Sequence, residues 1–144
     1  MMLKATRHTG LVVTDIDRSI SFYEALGLRV WNHETEQGSF ISHVVGLSGA
    51  VIETAKLKLP DSSLLELLEY KSHPSKRPDG LYPANHHGCS HIAFTVENVE
   101  ETVNEVVKLG GTLVNAPAIS ENGKAKVSYC YDLDGILMEI VEEL

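Results

Sequence analysis

The feature that most constrains the fold is an internal repeat. Residues 8–30, HTGLVVTDIDRSISFYEALGLRV, align without a gap with residues 91–113, HIAFTVENVEETVNEVVKLGGTL. A second match places residues 64–69, LLELLE, on residues 137–142, LMEIVE, in the same order along the chain. Chance similarity would not order two independent matches in this way. The repeat therefore predicts two equivalent structural units, each with the same succession of elements.

Each repeat predicts a strand followed by an amphipathic helix. Apolar and polar side chains alternate in the first segment, and a capping Asp or Asn then precedes apolar residues at helical spacing. A glycine follows where a helix C-terminus takes a left-handed residue. The capping residues are Asp15 and Asn98, the glycines are Gly27 and Gly110, and the apolar stripes are Ile16, Ile20 and Tyr23 in one helix and Val99, Val103 and Val106 in the other.

Three more strands in each half complete two βαβββ modules, which places the chain in the α+β class. Residues 1–71 form the first module and residues 89–144 the second. Residues 72–88, rich in proline and glycine, are predicted to link them. The predicted strands are 5–13, 28–37, 50–59 and 63–71 in the first module, and 89–96, 112–116, 124–132 and 136–142 in the second.

Composition excludes several classes of partner. The formal net charge is −8, which argues against binding to nucleic acid or to an anionic membrane. The sequence has no apolar run long enough for a membrane span and no apolar leader at its start. Its two cysteines, Cys89 and Cys130, are interpreted as free thiols in a reducing compartment, so a cytoplasmic location is expected.

Two glutamates lie where the pattern predicts buried strands. Glu66 and Glu139 are each surrounded by apolar residues on both faces of their segments, LLELLE and ILMEIV. A lone ionised carboxylate in such a place costs several kcal/mol unless something pairs with it. The sequence therefore predicts that each of these glutamates has a cationic or metal partner.

Two histidines are related by the same repeat. His8 and His91 each share a strand face with small residues, a pattern that indicates a cavity rather than a packed core. Approximate two-fold symmetry between the modules would bring both histidines and both glutamates together. Two imidazoles and two carboxylates suit one divalent ion, namely Zn²⁺, Ni²⁺, Co²⁺, Mn²⁺ or Fe²⁺. The alternative is that the histidines are satisfied core residues and that the glutamates meet Arg or Lys.

The repeated segments resemble the vicinal oxygen chelate superfamily, which includes glyoxalase I, methylmalonyl-CoA epimerase, extradiol dioxygenases and fosfomycin-resistance proteins. The resemblance is carried by HTGLVVTDIDRSISFYE, LEL, HIAFTV and DLDGILME. It implies one compact glyoxalase-like domain whose modules form an open, curled mixed sheet around a metal site. It also implies that the metal ligands are His8, Glu66, His91 and Glu139.

One segment departs from the glyoxalase and epimerase branches. Residues 38–59 are longer than expected, and the epimerase takes a second glutamate base from this region. Glu34, Glu36 and Glu53 are candidates for such a base, and the sequence leaves the choice open.

The metal quartet predicts chemistry on a small carbonyl compound. We expect a lyase or isomerase of the glyoxalase type that works through a metal-stabilised enolate or enediolate, with Glu139 as the first choice of base and Glu66 as the second. An iron-dependent dioxygenase of the extradiol type is the alternative, although it typically uses two histidines and one carboxylate. A non-catalytic small-molecule-binding protein is the third possibility. A homodimer is expected, and the sequence leaves open whether the site lies within one chain or is shared across the dimer.

Overall fold

The computed structural model describes residues 2–144 and divides the chain into two compact units. The N-terminal unit is Met1–Lys76 and the C-terminal unit is Arg77–Leu144. Residues 72–88, the predicted linker, contribute to both units. Each unit contains a βαβββ succession with a mixed sheet, so the predicted α+β class with two such modules is confirmed.

The N-terminal unit is a four-stranded sheet in the order β1-β4-β3-β2. β1 runs parallel to β4, while β4, β3 and β2 are antiparallel to their neighbours. A short second helix, which the sequence did not predict, lies within residues 38–59. The elements are β1 Thr9–Val12, α1 Ile16–Ala25, β2 Arg29–Gln37, α2 Ser39–Val45, β3 Val51–Lys58 and β4 Leu64–Tyr70.

The C-terminal unit repeats this arrangement with the order β5-β9-β8-β6, and β7 also pairs with β8. β5 runs parallel to β9, as β1 does to β4. The elements are β5 Ile92–Thr95, α3 Val99–Lys108, β6 Thr112–Leu113, β7 Ala118–Ile119, β8 Ala125–Tyr131 and β9 Leu137–Glu143.

Both long helices begin and end as the repeat predicts. The side chains of Asp15 and Asn98 accept hydrogen bonds from the backbone N–H three residues later, at 3.1 and 3.0 Å. Gly27 and Gly110 follow the helices with φ of 107° and 103°, a conformation that residues with a Cβ rarely adopt. The predicted apolar stripes are buried, so each helix packs on one face of its sheet, here called the helix face.

The other face of each sheet, here called the far face, is less buried than the sequence predicts. In β4, Leu65 and Leu67 on the helix face are 1% and 0% exposed. Glu66 and its far-face neighbours are only half-buried. The far face is not bare, because Ile52 of β3 and Leu137 of β9 are 0% and 5% exposed there. The prediction of strands buried on both faces therefore holds only in part, since Glu66 and Glu139 themselves are half-buried.

The first strand of each module is shorter than the predicted 5–13 and 89–96. β1 and β5 hydrogen-bond to only one neighbour each and extend over four residues. Alternation continues in the sequence beyond the paired residues, and so it overestimates the strands. His8 and His91 consequently lie just before β1 and β5. Within residues 2–144, no helix is long and apolar enough to cross a membrane.

Candidate metal centre

The N-terminal unit brings His8 and Glu66 together. The His8 Nε2 atom lies 3.6 Å from Oε1 of Glu66. The two side chains are 30% and 14% exposed, so a small molecule in solvent can reach both. The pairing follows from the parallel ladder, in which Gly10 of β1 lies opposite Glu66 of β4 and His8 is two residues before Gly10 on the same face.

The C-terminal unit repeats this contact with His91 and Glu139. The His91 Nε2 atom lies 2.9 Å from Oε2 of Glu139, and the side chains are 29% and 25% exposed. Ala93 of β5 lies opposite Glu139 of β9, in the position that Gly10 has in the other unit. A small residue opposite each glutamate leaves room for its carboxylate to turn towards the histidine. A Cβ on Gly10 would meet Glu66 Oε1 at 4.0 Å and Leu68 at 3.3 Å.

The hydrogen bonds around His91 leave Nε2 available as a ligand. The Ser90 hydroxyl donates to the carbonyl oxygen of Ala84 at 3.0 Å, so it accepts from Nδ1–H of His91 at 2.9 Å. This arrangement leaves Nε2 as the ring nitrogen that faces Glu139. Hydrogen bonds of this kind fix the orientation of metal-ligating histidines in general.

Within each unit, the separation of the histidine and glutamate donor atoms suits two ligands of a divalent ion. Zn²⁺ binds histidine nitrogen and carboxylate oxygen at about 2.0–2.2 Å, which places neighbouring donor atoms about 3.0–3.6 Å apart. The observed separations of 3.6 and 2.9 Å lie in or next to that range. The donor types also suit borderline and hard divalent ions. The structure therefore places the four predicted ligands as two pairs, one in each unit, and each pair fits a divalent cation.

The two glutamates have different third partners, which sequence reasoning missed. In the N-terminal unit Lys56 of β3 lies opposite Glu66, and its Nζ atom is 3.9 Å from Glu66 Oε2. In the C-terminal unit Tyr129 of β8 lies opposite Glu139. Lys56 and Tyr129 thus occupy equivalent positions of the repeat. The strand register predicts this equivalence, but the sequence alone does not establish the register.

Tyr129 contacts both members of its pair. Its hydroxyl lies 3.5 Å from His91 Nε2, and the two rings are 5.1 Å apart between centroids. Burial raises the pKa of the Tyr129 hydroxyl, and the negative charge of Glu139 and a hydrogen bond to it raise the pKa further. The phenol therefore stays protonated at neutral pH and can donate a hydrogen bond to Glu139.

The three candidates for a second base have different positions. Glu53 lies on the helix face, where its carboxylate contacts His33 at 2.7 Å and Lys71 at 3.3 Å. Glu66 lies on the far face of the same sheet, so Glu53 is not a base beside it. Glu34 is exposed and Glu36 is half-buried on β2, opposite far-face residues of β3, and the structure gives neither a contact with the His–Glu pair.

Comparison with known proteins identifies relatives along nearly the whole chain. A glyoxalase family protein from Bacillus cereus has a structure that superposes with a TM-score of 0.91 at 29% identity, covering 100% of this chain and 97% of that one. A probable lactoylglutathione lyase of Synechocystis is 26% identical over 137 residues, covering 94% of this chain and 92% of that protein. The lactoylglutathione lyase of Escherichia coli O157:H7 is also 26% identical, with coverage of 94% and 90%.

The family-level match covers the same elements that form the two His–Glu pairs. It includes residues 6–140, from the segment just before β1 to the middle of β9. The paired modules, the mixed sheets and the match along the chain lead to one conclusion. This chain belongs to the Glyoxalase/Bleomycin resistance protein/Dioxygenase superfamily.

Proposed function

We propose that His8, Glu66, His91 and Glu139 bind one divalent cation, and that the protein is a metal-dependent lyase or isomerase. The observation that carries the proposal is the repeated pair: each unit places a histidine nitrogen and a glutamate oxygen at a separation suited to neighbouring ligands of one ion. Zn²⁺, Ni²⁺, Co²⁺, Mn²⁺ and Fe²⁺ are all compatible with this donor set.

The substrate class follows from the chemistry of the site. A bound divalent ion supplies a Lewis acid for neighbouring oxygen atoms of a small carbonyl compound. The half-exposed far-face positions of the four side chains let such a molecule reach them. The two curated relatives named above bear the names probable lactoylglutathione lyase and lactoylglutathione lyase. These names support the hemithioacetal of a small α-oxoaldehyde, or the 2-hydroxyacyl thioester isomeric with it, as the first substrate to test.

Glu139 is the better base of the two glutamates. The Lys56 ammonium lies beside Glu66 and favours a carboxylate that stays ionised and in place. Glu139 has a neutral phenol as its corresponding neighbour, so it is freer to accept a proton. In the proposed step Glu139 removes a proton from a carbon next to the substrate carbonyl, and the bonding electrons move into the carbonyl system. Return of that proton to the same or the adjacent carbon completes an epimerisation or isomerisation.

Proton exchange tests this function for any substrate that carries a proton on a carbon next to its carbonyl. The metal-loaded protein is incubated in D₂O with methylglyoxal and glutathione, and separately with small α-hydroxyketones, while ¹H NMR follows the carbon-bound protons. We expect catalysed exchange that disappears with EDTA and in Glu139→Gln. Glu121→Gln, a change at an exposed turn residue, is the matched control and should exchange at the wild-type rate. Metal binding without exchange of any substrate would favour a binding protein instead.

One observation favours a second function, that of an iron-dependent dioxygenase. If Lys56 holds Glu66 as an ion pair, the remaining donors are His8, His91 and Glu139, the two-histidine, one-carboxylate set of non-haem iron oxygenases. Oxygen consumption by the Fe²⁺-loaded protein with a catechol tests this alternative. Uptake of oxygen that survives Glu66→Gln would support it, whereas no uptake would exclude the extradiol reaction with that substrate.

We also propose a homodimer, because symmetric pairs are the commonest assemblies that protein chains form with their own copies. Mixing Glu66→Gln with Glu139→Gln protein tests whether the metal centre is shared between subunits. If it is, a mixed dimer carries one intact centre, and an equimolar mixture recovers about one quarter of the wild-type activity. If each centre lies within one chain, the mixture recovers nothing.

A further inference from the structure

The helix face of the N-terminal unit holds another histidine–carboxylate cluster. Asp17 in the first turn of α1, His33 of β2 and Glu53 of β3 each place a ligand atom within 4.8 Å of the other two. His33 Nε2 lies 2.7 Å from Glu53 Oε2. The cluster lies on the face of the sheet opposite the His8–Glu66 pair, because Glu53 and Glu66 belong to opposite faces of the β3–β4 ladder.

The repeat shows what is unusual about this cluster. In the C-terminal unit Glu100 occupies the helix position of Asp17, and Lys126 forms an ion pair with it. Lys126 lies opposite Glu142 in β9, as Glu53 lies opposite Glu69 in β4. The N-terminal unit therefore has a carboxylate in the position where the C-terminal unit has the compensating ammonium group.

The charges near this cluster are not balanced by the side chains alone. Lys71 contacts both Glu53 and Glu69, and it is the cation nearest to them. Within the described residues, no lysine or arginine forms an ion pair with Asp17. With a neutral imidazole, three carboxylates and one ammonium leave an excess of two negative charges. A divalent cation at this position would compensate that excess.

The carboxylate of Glu53 lies between two nitrogen groups. Its Oε2 atom is 2.7 Å from His33 Nε2, and its Oε1 atom is 3.3 Å from Lys71 Nζ. The three side chains come from three different elements. The register of β2 and β3 places His33 opposite Ala55, two residues from Glu53 on the same face. An ion bound there would connect α1 to the sheet.

We propose that Asp17, His33 and Glu53 form a second divalent-cation site, separate from the His8, Glu66, His91 and Glu139 centre. One imidazole and two carboxylates suit Zn²⁺ best among abundant ions, with water completing the coordination. The site binds more weakly than the proposed four-ligand centre, because it has three protein ligands and two of them, Asp17 and His33, are exposed. Its occupation stabilises the fold of the N-terminal unit, because an ion that binds only the folded state shifts the unfolding equilibrium.

Calorimetric titration of the chelator-treated full chain with ZnCl₂ tests this proposal. The double variant Glu66→Gln, Glu139→Gln removes ligands of the other centre, so the Zn²⁺ that it still binds reports on the second site. We expect this variant to bind about one equivalent. Adding His33→Gln should weaken the remaining affinity at least about tenfold, whereas adding His43→Gln, at an exposed histidine of α2, should leave it unchanged.

The variant Glu53→Lys provides a check that does not depend on removing an imidazole. It copies the C-terminal arrangement by placing an ammonium group beside Asp17. We expect it to lose the second equivalent while its far-UV circular dichroism in EDTA stays that of the wild type, which shows that the protein still folds. The proposal is overturned if the double variant takes up no Zn²⁺, or if His33→Gln and His43→Gln have the same affinity. Neither result bears on the four-ligand centre, whose own test is loss of metal in Glu66→Gln.

Discussion

The two units use the same backbone plan but place different side chains beside their glutamates. In the N-terminal unit Glu66 lies between His8 and the ammonium group of Lys56. In the C-terminal unit Glu139 lies between His91 and the phenol of Tyr129. One unit therefore holds its carboxylate with a charge and the other with a neutral hydrogen-bond donor. The repeat therefore keeps the His–Glu pair in both units but not the electrostatic surroundings of its glutamate.

The largest expected effect separates the roles of the two glutamates. With saturating metal, Glu139→Gln should lower the rate of substrate proton exchange about 10²- to 10⁴-fold, the range found when a general base is removed. Added metal should restore more of the exchange rate in Glu66→Gln than in Glu139→Gln, because the proposed contribution of Glu66 is to bind the ion. Exchange rates measured over a series of metal concentrations check this prediction. A greater loss in Glu66→Gln at saturation would reverse the assignment.

The next effect compares glycines that follow the two long helices. α1 is followed by one glycine, Gly27, and then by buried Leu28, whereas α3 is followed by Gly110 and Gly111. A Cβ on Gly111 would lie 2.6 Å from the carbonyl oxygen of Tyr131, so Gly111→Ala should destabilise the protein by about 1–3 kcal/mol.

Gly27→Ala is the matched comparison for this change. Its φ of 107° is strained for alanine, but open space surrounds the added Cβ. We therefore expect a smaller loss than in Gly111→Ala when urea unfolding is followed by far-UV circular dichroism. Equal losses would indicate that the backbone near Gly111 relaxes to accept the methyl group.

The third prediction concerns the neighbours of the glutamates, which should affect metal affinity in opposite directions. Lys56→Met removes a positive charge near a ligand and should tighten binding of a divalent ion several-fold. Tyr129→Phe removes a hydrogen-bond donor that orients Glu139 and should weaken binding about tenfold. Competition with a fluorescent chelator measures both. Weaker binding in Lys56→Met would mean that the lysine positions Glu66 more than it repels the ion.

The smallest effect concerns Lys126 and Glu100, the ion pair that the N-terminal unit lacks. Their hydrogen bond lowers the pKa of Glu100 from its ordinary value of 4.5. The contribution of the pair to stability is thus present above pH 4.5 and is lost as the pH falls through the lowered pKa. Lys126→Met should reduce the melting temperature slightly at pH 7 and by less at pH 3. A reduction of equal size at both values would show that the lysine stem, rather than the charge, stabilises the unit.

Local sequence signals predicted the repeated parts of the fold. The caps Asp15 and Asn98 and the two helix-ending glycines each follow from one residue's hydrogen bonding or backbone freedom. Helix α2 was missed because it has no counterpart in the second half. Phe40, Ile41, Val44 and Val45 do recur at helical spacing, but none of them is buried. The glycine at its end, Gly46, has a φ of 72°. A glycine in that position is a sequence signal that indicates the end of a helix.

The candidate site was predictable only where the repeat supplied its long-range partners. Matching Glu66 with Glu139 and His8 with His91 gave the residues of both pairs. The repeat does not predict the contact between Lys56 and Glu66, because that contact depends on the register between β3 and β4.

The cluster of Asp17, His33 and Glu53 was missed for a related reason. The register of β2 against β3 shifts between Val30 and Asn32, which leaves one extra residue in β2. Such a bulge changes which side chains share a face, and it has no reliable signal in the sequence.

Metal content tests the central claim, that both units supply ligands to one ion, most directly. Wild type, Glu66→Gln and Glu139→Gln are prepared with His33→Gln as a common background, so that the second proposed site does not contribute. After equilibration with a low excess of metal and dialysis, we predict about one ion per chain in the background protein and loss of the ion in both single changes. Two ions per chain, with each change removing one of them, would contradict the account, since each pair would then bind its own ion.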